Sequence, residues 1–312
     1  MKPFREHVAI AVDGGGIKGV IVARALALLE EHLGQTAHKL FRLTAGTSTG
    51  SIISAAIGAG LTGEQIYQLY CELGESIFPR TWRSILWPLT PYRYTLGPLE
   101  DNLRTYIGDI TMGDYWSADP PTDVVVTAFD LVSNHTRFVK SWKPEYADWP
   151  ATQAVMASSA VPTYFPPVEG RYVDGGVGAY TNPCYIAAYE AQFVLGWDMA
   201  ETTLLSLGTG RNPHTIQPGE VDHYWAWDWI DPVLGAFLQS AADQQVHLVD
   251  TFFDQLDFRR FQIDLPEHIA MDDTSAIPTL TAYGDQLAQK IINDEMDAVL
   301  NVTAQRAPDS AL

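Results

Sequence analysis

Cysteine is scarce in this chain: Cys71 and Cys184 are the only two among 312 residues. Two thiols build no disulfide framework and offer no metal-ligand spacing, so they read as buried thiols of a reducing compartment. Long apolar runs are missing as well. No stretch approaches the roughly 18 uninterrupted apolar residues that a membrane-spanning helix needs. The opening MKPFREHVAIAV has one short apolar run broken by charge and is not read as a secretory signal. Positive charge is in short supply: 19 Lys and Arg stand against 38 Asp and Glu, for a net charge of −19. That balance excludes a binder of phosphate backbones, which needs clustered cations, so nucleic acid is not an expected partner. It also argues against non-specific adsorption to anionic membranes. Repeats, low-complexity tracts and clear linkers are lacking too. The expected location is cytoplasmic, with no more than peripheral contact at a membrane.

Apolar material is plentiful: 46% of residues are hydrophobic, and there are nine Trp. The length suits one α/β domain over residues 1–312. Its core is expected at about 7–210, with a C-terminal helical part at about 230–305 packed on it. His7 to Val12 reads as a buried strand running into the glycine turn Asp13-Gly14-Gly15-Gly16-Ile17-Lys18-Gly19, and Val20 to Leu33 has apolar residues at helical spacing. Leu40 to Ala45 is a second strand. It enters Gly46-Thr47-Ser48-Thr49-Gly50, and a helix of small residues follows. Strand, turn and helix repeated in this order predict a parallel sheet covered by helices. Further strands are expected at 124–129, 136–139, 171–173 and 203–207, and further helices at 66–77, 99–106, 233–253 and 286–302.

A serine hydroxyl attacks an ester only when a base takes its proton. The G-x-S-x-G segment around Ser48 supplies the geometry: a tight strand-to-helix turn lifts the hydroxyl clear, and the helix that follows turns its positive end toward a developing oxyanion. Gly14, Gly15 and Gly16 follow a strand and open a helix, so their unobstructed N–H groups are candidate oxyanion donors. The same turn also matches G-x-G-x-x-G, the dinucleotide fingerprint. That motif wants an acid at the end of the second strand, where this sequence has Ala45 and Gly46. Asp174-Gly175-Gly176 places a carboxylate at a strand end, although Asp-Gly is also an ordinary turn dipeptide.

The three pieces DGGGIKG at 13–19, GTSTG at 46–50 and DGG at 174–176 occur in the order found in the patatin-like phospholipases. The chain further resembles that family in ASSAVPTYF at 157–165, in Asn182-Pro183 and in LSLGTG at 205–210. The resemblance runs from about residue 7 to about residue 250. It implies a patatin-like variant of the α/β-hydrolase type: three α/β/α layers around a central, mostly parallel sheet. It implies a serine lipid acyl hydrolase, of the phospholipase A, lysophospholipase or esterase type, that works without cofactor or metal. Ser48 would be the nucleophile, Asp174 the base of a Ser–Asp dyad, and Gly14, Gly15 and Gly16 the oxyanion donors, joined by Thr49. Lys18 matches a position that is basic in the family; it would hold the glycine turn or a lipid phosphate, or simply be solvated. Three positions depart from the family's pattern: Arg42, Met156 and Thr181.

Two alternatives stay open at the level of sequence. One is an esterase with a Ser-His-Asp triad, its histidine drawn from His214, His223, His247 or His268. The other is an oxidoreductase binding a dinucleotide at 13–19. Residues 76–99 carry Arg80, Arg83 and Arg93 with no carboxylate, interleaved with Phe78, Trp82, Trp87, Tyr92 and Tyr94. Such a segment suits contact with lipid headgroups, or an ordered cap over the site. Trp225, Trp227 and Trp229 are read as packing residues. The substrate is expected to be a lipid or another acyl ester; the oligomeric state is not legible.

Overall fold

The structure is a computed structural model and describes residues 1–79, 84, 89–213, 216, 218–225 and 228–297. A seven-stranded sheet forms its centre. The strands are β1 (His7–Val12), β2 (Leu43–Thr47), β3 (Asp123–Asp130), β4 (His135–Lys140), β5 (Tyr172–Asp174), β6 (Thr202–Leu207) and β7 (Asp257–Phe261). Their order is β4-β3-β2-β1-β6-β7, with β5 added on β3. Every pairing from β3 through β2, β1 and β6 to β7 is parallel, whereas β4 and β5 run antiparallel to β3. The central strands are buried along nearly their whole length, as strands covered on both faces must be.

Helices cover both faces. On one side lie α1 (Gly19–Leu33), α3 (Thr49–Gly58), α4 (Gly63–Ile77), α5 (Gly97–Ile107), α7 (Ala151–Ser159) and α10 (Ile277–Ile292). The short α2 (Ala37–Leu40) precedes β2, and α6 (Met112–Ser117) precedes β3. The core on this face includes Ile10, Val20, Ile53, Leu69, Val126 and Leu287. On the other side, α8 (Cys184–Tyr189) and α9 (Ile230–Phe252) pack on Ala9, Ala11, Ala45 and Leu204. Small residues on that face of β1 and β2 let the covering helix come close. The three-layer α/β/α architecture is the expected one. The C-terminal stretch read as helical also supplies β7, because Phe261 faces the core while Arg259 and Arg260 are held by buried acids. Charge within FRRF hides that strand from a reading by hydrophobicity. Among the described residues no helix is long and apolar enough to cross a membrane.

The register of β3 positions the site. β2 follows β3 only as far as Thr47 opposite Thr127. β5 takes up the pairing at the next residue, with Asp174 opposite Ala128. β4 occupies the other edge of β3, so β5 lies on the edge that β2 has just left. Asp174 therefore sits end-on to β2, where Ser48 emerges.

Candidate active site

Ser48 adopts φ 54° and ψ −125°, a conformation that non-glycine residues rarely take. The strain is held from three sides. Its N–H donates to Ser158 Oγ at 2.8 Å, and its carbonyl accepts from Ser51 N at 2.9 Å and Ser51 Oγ at 2.6 Å. Strain held this firmly is a mark of functional turns and is the geometry of a nucleophile elbow. The neighbouring Thr49 hydroxyl is tied to Tyr70, whose own hydroxyl donates to Thr49 O at 2.8 Å.

Asp174 accepts the Gly176 N–H on Oδ1 at 2.8 Å. Its Oδ2 is buried and has no hydrogen-bond partner among the described residues. Burial pushes the carboxyl pKa up to about 6, while the nearby Ser48 hydroxyl and the Gly176 amide pull it down. The serine is thus close enough to act on the carboxyl, although no well-formed hydrogen bond joins them. Such contacts are often long before substrate binds.

The glycine turn lies against the serine. A side-chain carbon at Gly14 would stand 3.2 Å from Ser48 Cβ. Gly14 N donates to Thr181 O at 2.9 Å, and its carbonyl accepts from Thr209 Oγ1 at 2.7 Å. That amide is already engaged. Among the described residues Gly15 and Gly16 N–H have no such acceptor, and Gly16 has φ 61° and lines the pocket beside Ser48. Any side chain at Gly16 would also strike Met271 O, 2.3 Å away. Lys18 is buried and forms no ion pair among the described residues; burial pulls its pKa down to about 8.

The family departures fall away from the two candidate groups. Arg42 pairs with Asp123 at 3.5 Å near the start of β2. Met156 is a core residue of α7. Thr181 serves Gly14 through its carbonyl, a role that does not depend on its side chain. Among the described residues no histidine bonds to Ser48 or Asp174, and His223, His247 and His268 are exposed. His214 lies outside the described residues.

Two supporting residues have roles that the sequence does not assign, although Ser158 lies in the family-like segment 157–165. Ser158 anchors the elbow, and Arg260 anchors the base of the glycine turn. The Arg260 guanidinium grips Asp13 through both nitrogens, with Nη1 2.8 Å from Oδ1, and reaches Ser206 Oγ at 3.0 Å. The one available signal was an Arg-Arg pair inside an otherwise apolar strand.

An apolar pocket of about 50 Å³ opens beside Ser48. Ile17, Ile52, Ile77, Phe78, Leu99 and Phe165 are among the residues of its wall. Segment 76–99 contributes Phe78 and Tyr94, which pack on Phe165, while Tyr94 Oη donates to Asp272 at 2.8 Å. Those described residues form a cap. Arg80, Trp82, Arg83 and Trp87 lie outside the described residues. The tryptophans read as packing are not buried: Trp225 is 68% exposed and Trp229 42%. Trp227 lies outside the described residues.

A covered, mostly parallel sheet with a strained serine at a strand end and an apolar pocket beside it defines an α/β protein of hydrolase-like architecture. The chain belongs to the patatin-like phospholipase family, whose sequence model matches residues 10–188. An intracellular phospholipase A2 of Caenorhabditis elegans is 29% identical over 66% of this chain, which spans 20% of that protein's length. A cGAMP-activated phospholipase of Vibrio cholerae is 26% identical, with 92% of this chain and 93% of that protein aligned. In fold, the chain resembles VipD from Legionella pneumophila, at a TM-score of 0.50 and 12% identity over 94% of this chain and 67% of that one. Family membership places the chain among lipid hydrolases.

Proposed function

We propose that this protein cleaves carboxylic esters of lipids through an acyl-Ser48 intermediate, with Ser48 and Asp174 as a dyad. The observation that carries the reading is the β3 register, which sets a buried carboxyl, with one oxygen unspent, beside a serine held in a strained elbow. Asp174 takes the Ser48 proton as Oγ attacks the ester carbonyl, then passes it to the leaving alcohol. A water attacks the acyl-enzyme by the same route in reverse, with Asp174 again the base. The oxyanion donors in this reading are the N–H groups of the turn 14–16. Gly15 and Gly16 bear most of that load, since the Gly14 amide is engaged by Thr181 O. The start of α3 at Thr49 adds its positive end. The apolar pocket takes the acyl chain. No step calls on a cofactor. Peripheral membrane contact through 76–99, one domain over 1–312 and a reducing, cytoplasmic setting for the two free thiols belong to the same proposal.

Ser48→Ala and Asp174→Asn test it on a mixed phospholipid extract and a soluble ester. Each should lower hydrolysis about 10⁴-fold, as loss of one member of a catalytic unit does. Full activity in either variant removes the dyad. The products released by wild type but not by Ser48→Ala identify the bond cleaved.

A further inference from the structure

Helix α9 runs past the loop that carries Asp174. Leu238 reaches Gly176, its Cδ2 lying 3.3 Å from where a side-chain carbon on that glycine would be. Gln245 Nε2 donates to Ala179 O at 3.2 Å. Toward the start of the helix several described side chains are exposed. Trp229, Val233 and Phe237 recur every fourth residue, so they fall along one face. They are 42%, 56% and 44% exposed. Trp225, four residues earlier, is also exposed, and so is Val177 in the Asp174 loop itself. From Pro232 to Ala242 no side chain is ionisable.

An exposed apolar stripe of this length is unusual on a soluble surface and marks an interaction site. We propose that the stripe Trp229–Val233–Phe237 seats the protein on an electrically neutral lipid surface, such as a zwitterionic bilayer. This proposal rests on the lipid-hydrolase reading above. Three observations favour lipid over a protein partner. The uncharged run offers no ion pairs to specify a protein. Trp at one end of a Val/Phe stripe is the composition that settles at a headgroup boundary. The helix packs directly on the Asp174 loop, so a seated protein holds its catalytic centre close to the lipid it would draw in. The chain's net charge is −19, so an anionic surface would repel it.

The test is the surface variant Val233→Ser/Phe237→Ser in the full chain. Four quantities are measured: sedimentation with phosphatidylcholine vesicles, hydrolysis of vesicle lipid, hydrolysis of a water-soluble short-chain ester, and mass in solution. Vesicle binding and vesicle hydrolysis should both fall at least about tenfold, the loss expected when two apolar side chains stop being buried. Hydrolysis of the soluble ester should be unchanged. A variant that binds vesicles as wild type does overturns the proposal, as does a wild type that ignores them. Conversion of a dimer to a monomer with vesicle binding intact assigns the stripe to a second copy of the chain. Failure of wild type on every ester would sink the hydrolase reading alone, because the vesicle-binding comparison does not depend on turnover.

Discussion

A carboxylate that must accept a serine's proton works best when it is not too acidic. Burial raises the Asp174 pKa to about 6, nearer the working range of a general base. In the proposed mechanism only the ionised form is competent. The kcat/KM for a soluble ester should therefore fall tenfold per pH unit below about pH 6, and Ser48→Ala should leave no residual activity with that profile. The same shift has a cost in stability. A carboxyl whose folded pKa lies above its unfolded value destabilises the fold when ionised. That cost is present in full above about pH 6, shrinks as the pH falls, and is gone below about pH 4. A shift of about two units amounts to roughly 3 kcal/mol. Asp174→Asn keeps an acceptor for the Gly176 amide and removes the buried charge. It should raise the melting temperature at pH 8 and leave it nearly unchanged at pH 4. An equal gain at both values would show that the charge is not the source. At this scale Ser48 and Asp174 were legible because each sits in a short, local motif. Ser158 and Arg260 were not, because they act on residues more than a hundred positions away, and only the folded sheet brings them there.

Elements meet at the site with almost no space to spare. A side-chain carbon at Gly50 would lie 2.1 Å from Val12 O, the end of β1. Gly50→Ala should cost about 3 kcal/mol or more, the upper range for overpacking, and be read as a lowered urea midpoint. The Asp13–Arg260 pair ties β1 and the glycine turn to β7 at the edge of the sheet. Arg260→Met leaves Asp13 buried without its counter-charge and should cost about 3–5 kcal/mol. Asp13→Asn combined with Arg260→Met should recover part of that loss, and additivity of the two single changes would rule out a coupled pair. This pairing also shows why the fold was only partly legible. β1, β2 and β6 are apolar and bounded by glycine, so their pattern announces them. β7 carries two arginines whose charge is met by Asp257 in the same strand and by Asp294 and Asp13, which only folding brings near. The helix α7 was missed for a different reason. Its small residues, Ala151 to Ser159, are buried almost all round, so they show no polar face and no helical period.

At the scale of the whole molecule, the net charge of −19 and the neutral stripe on α9 act over different distances. The stripe works only on contact. The net charge is felt out to the Debye length, about 30 Å at 0.01 M salt and about 8 Å at 0.15 M. A lipid surface rich in anionic headgroups should therefore repel the protein before the stripe can touch it, and a zwitterionic one should not. Wild type should hydrolyse phosphatidylcholine vesicles faster than vesicles enriched in anionic lipid at low salt, and the gap should close as salt rises toward 0.15 M. The check is initial rate against ionic strength for both vesicle types, with the soluble ester as a control that salt leaves nearly flat. A preference that survives high salt would locate the discrimination in the site itself, where a headgroup meets Lys18 or Arg93 at short range, and would take it away from the long-range charge of the chain.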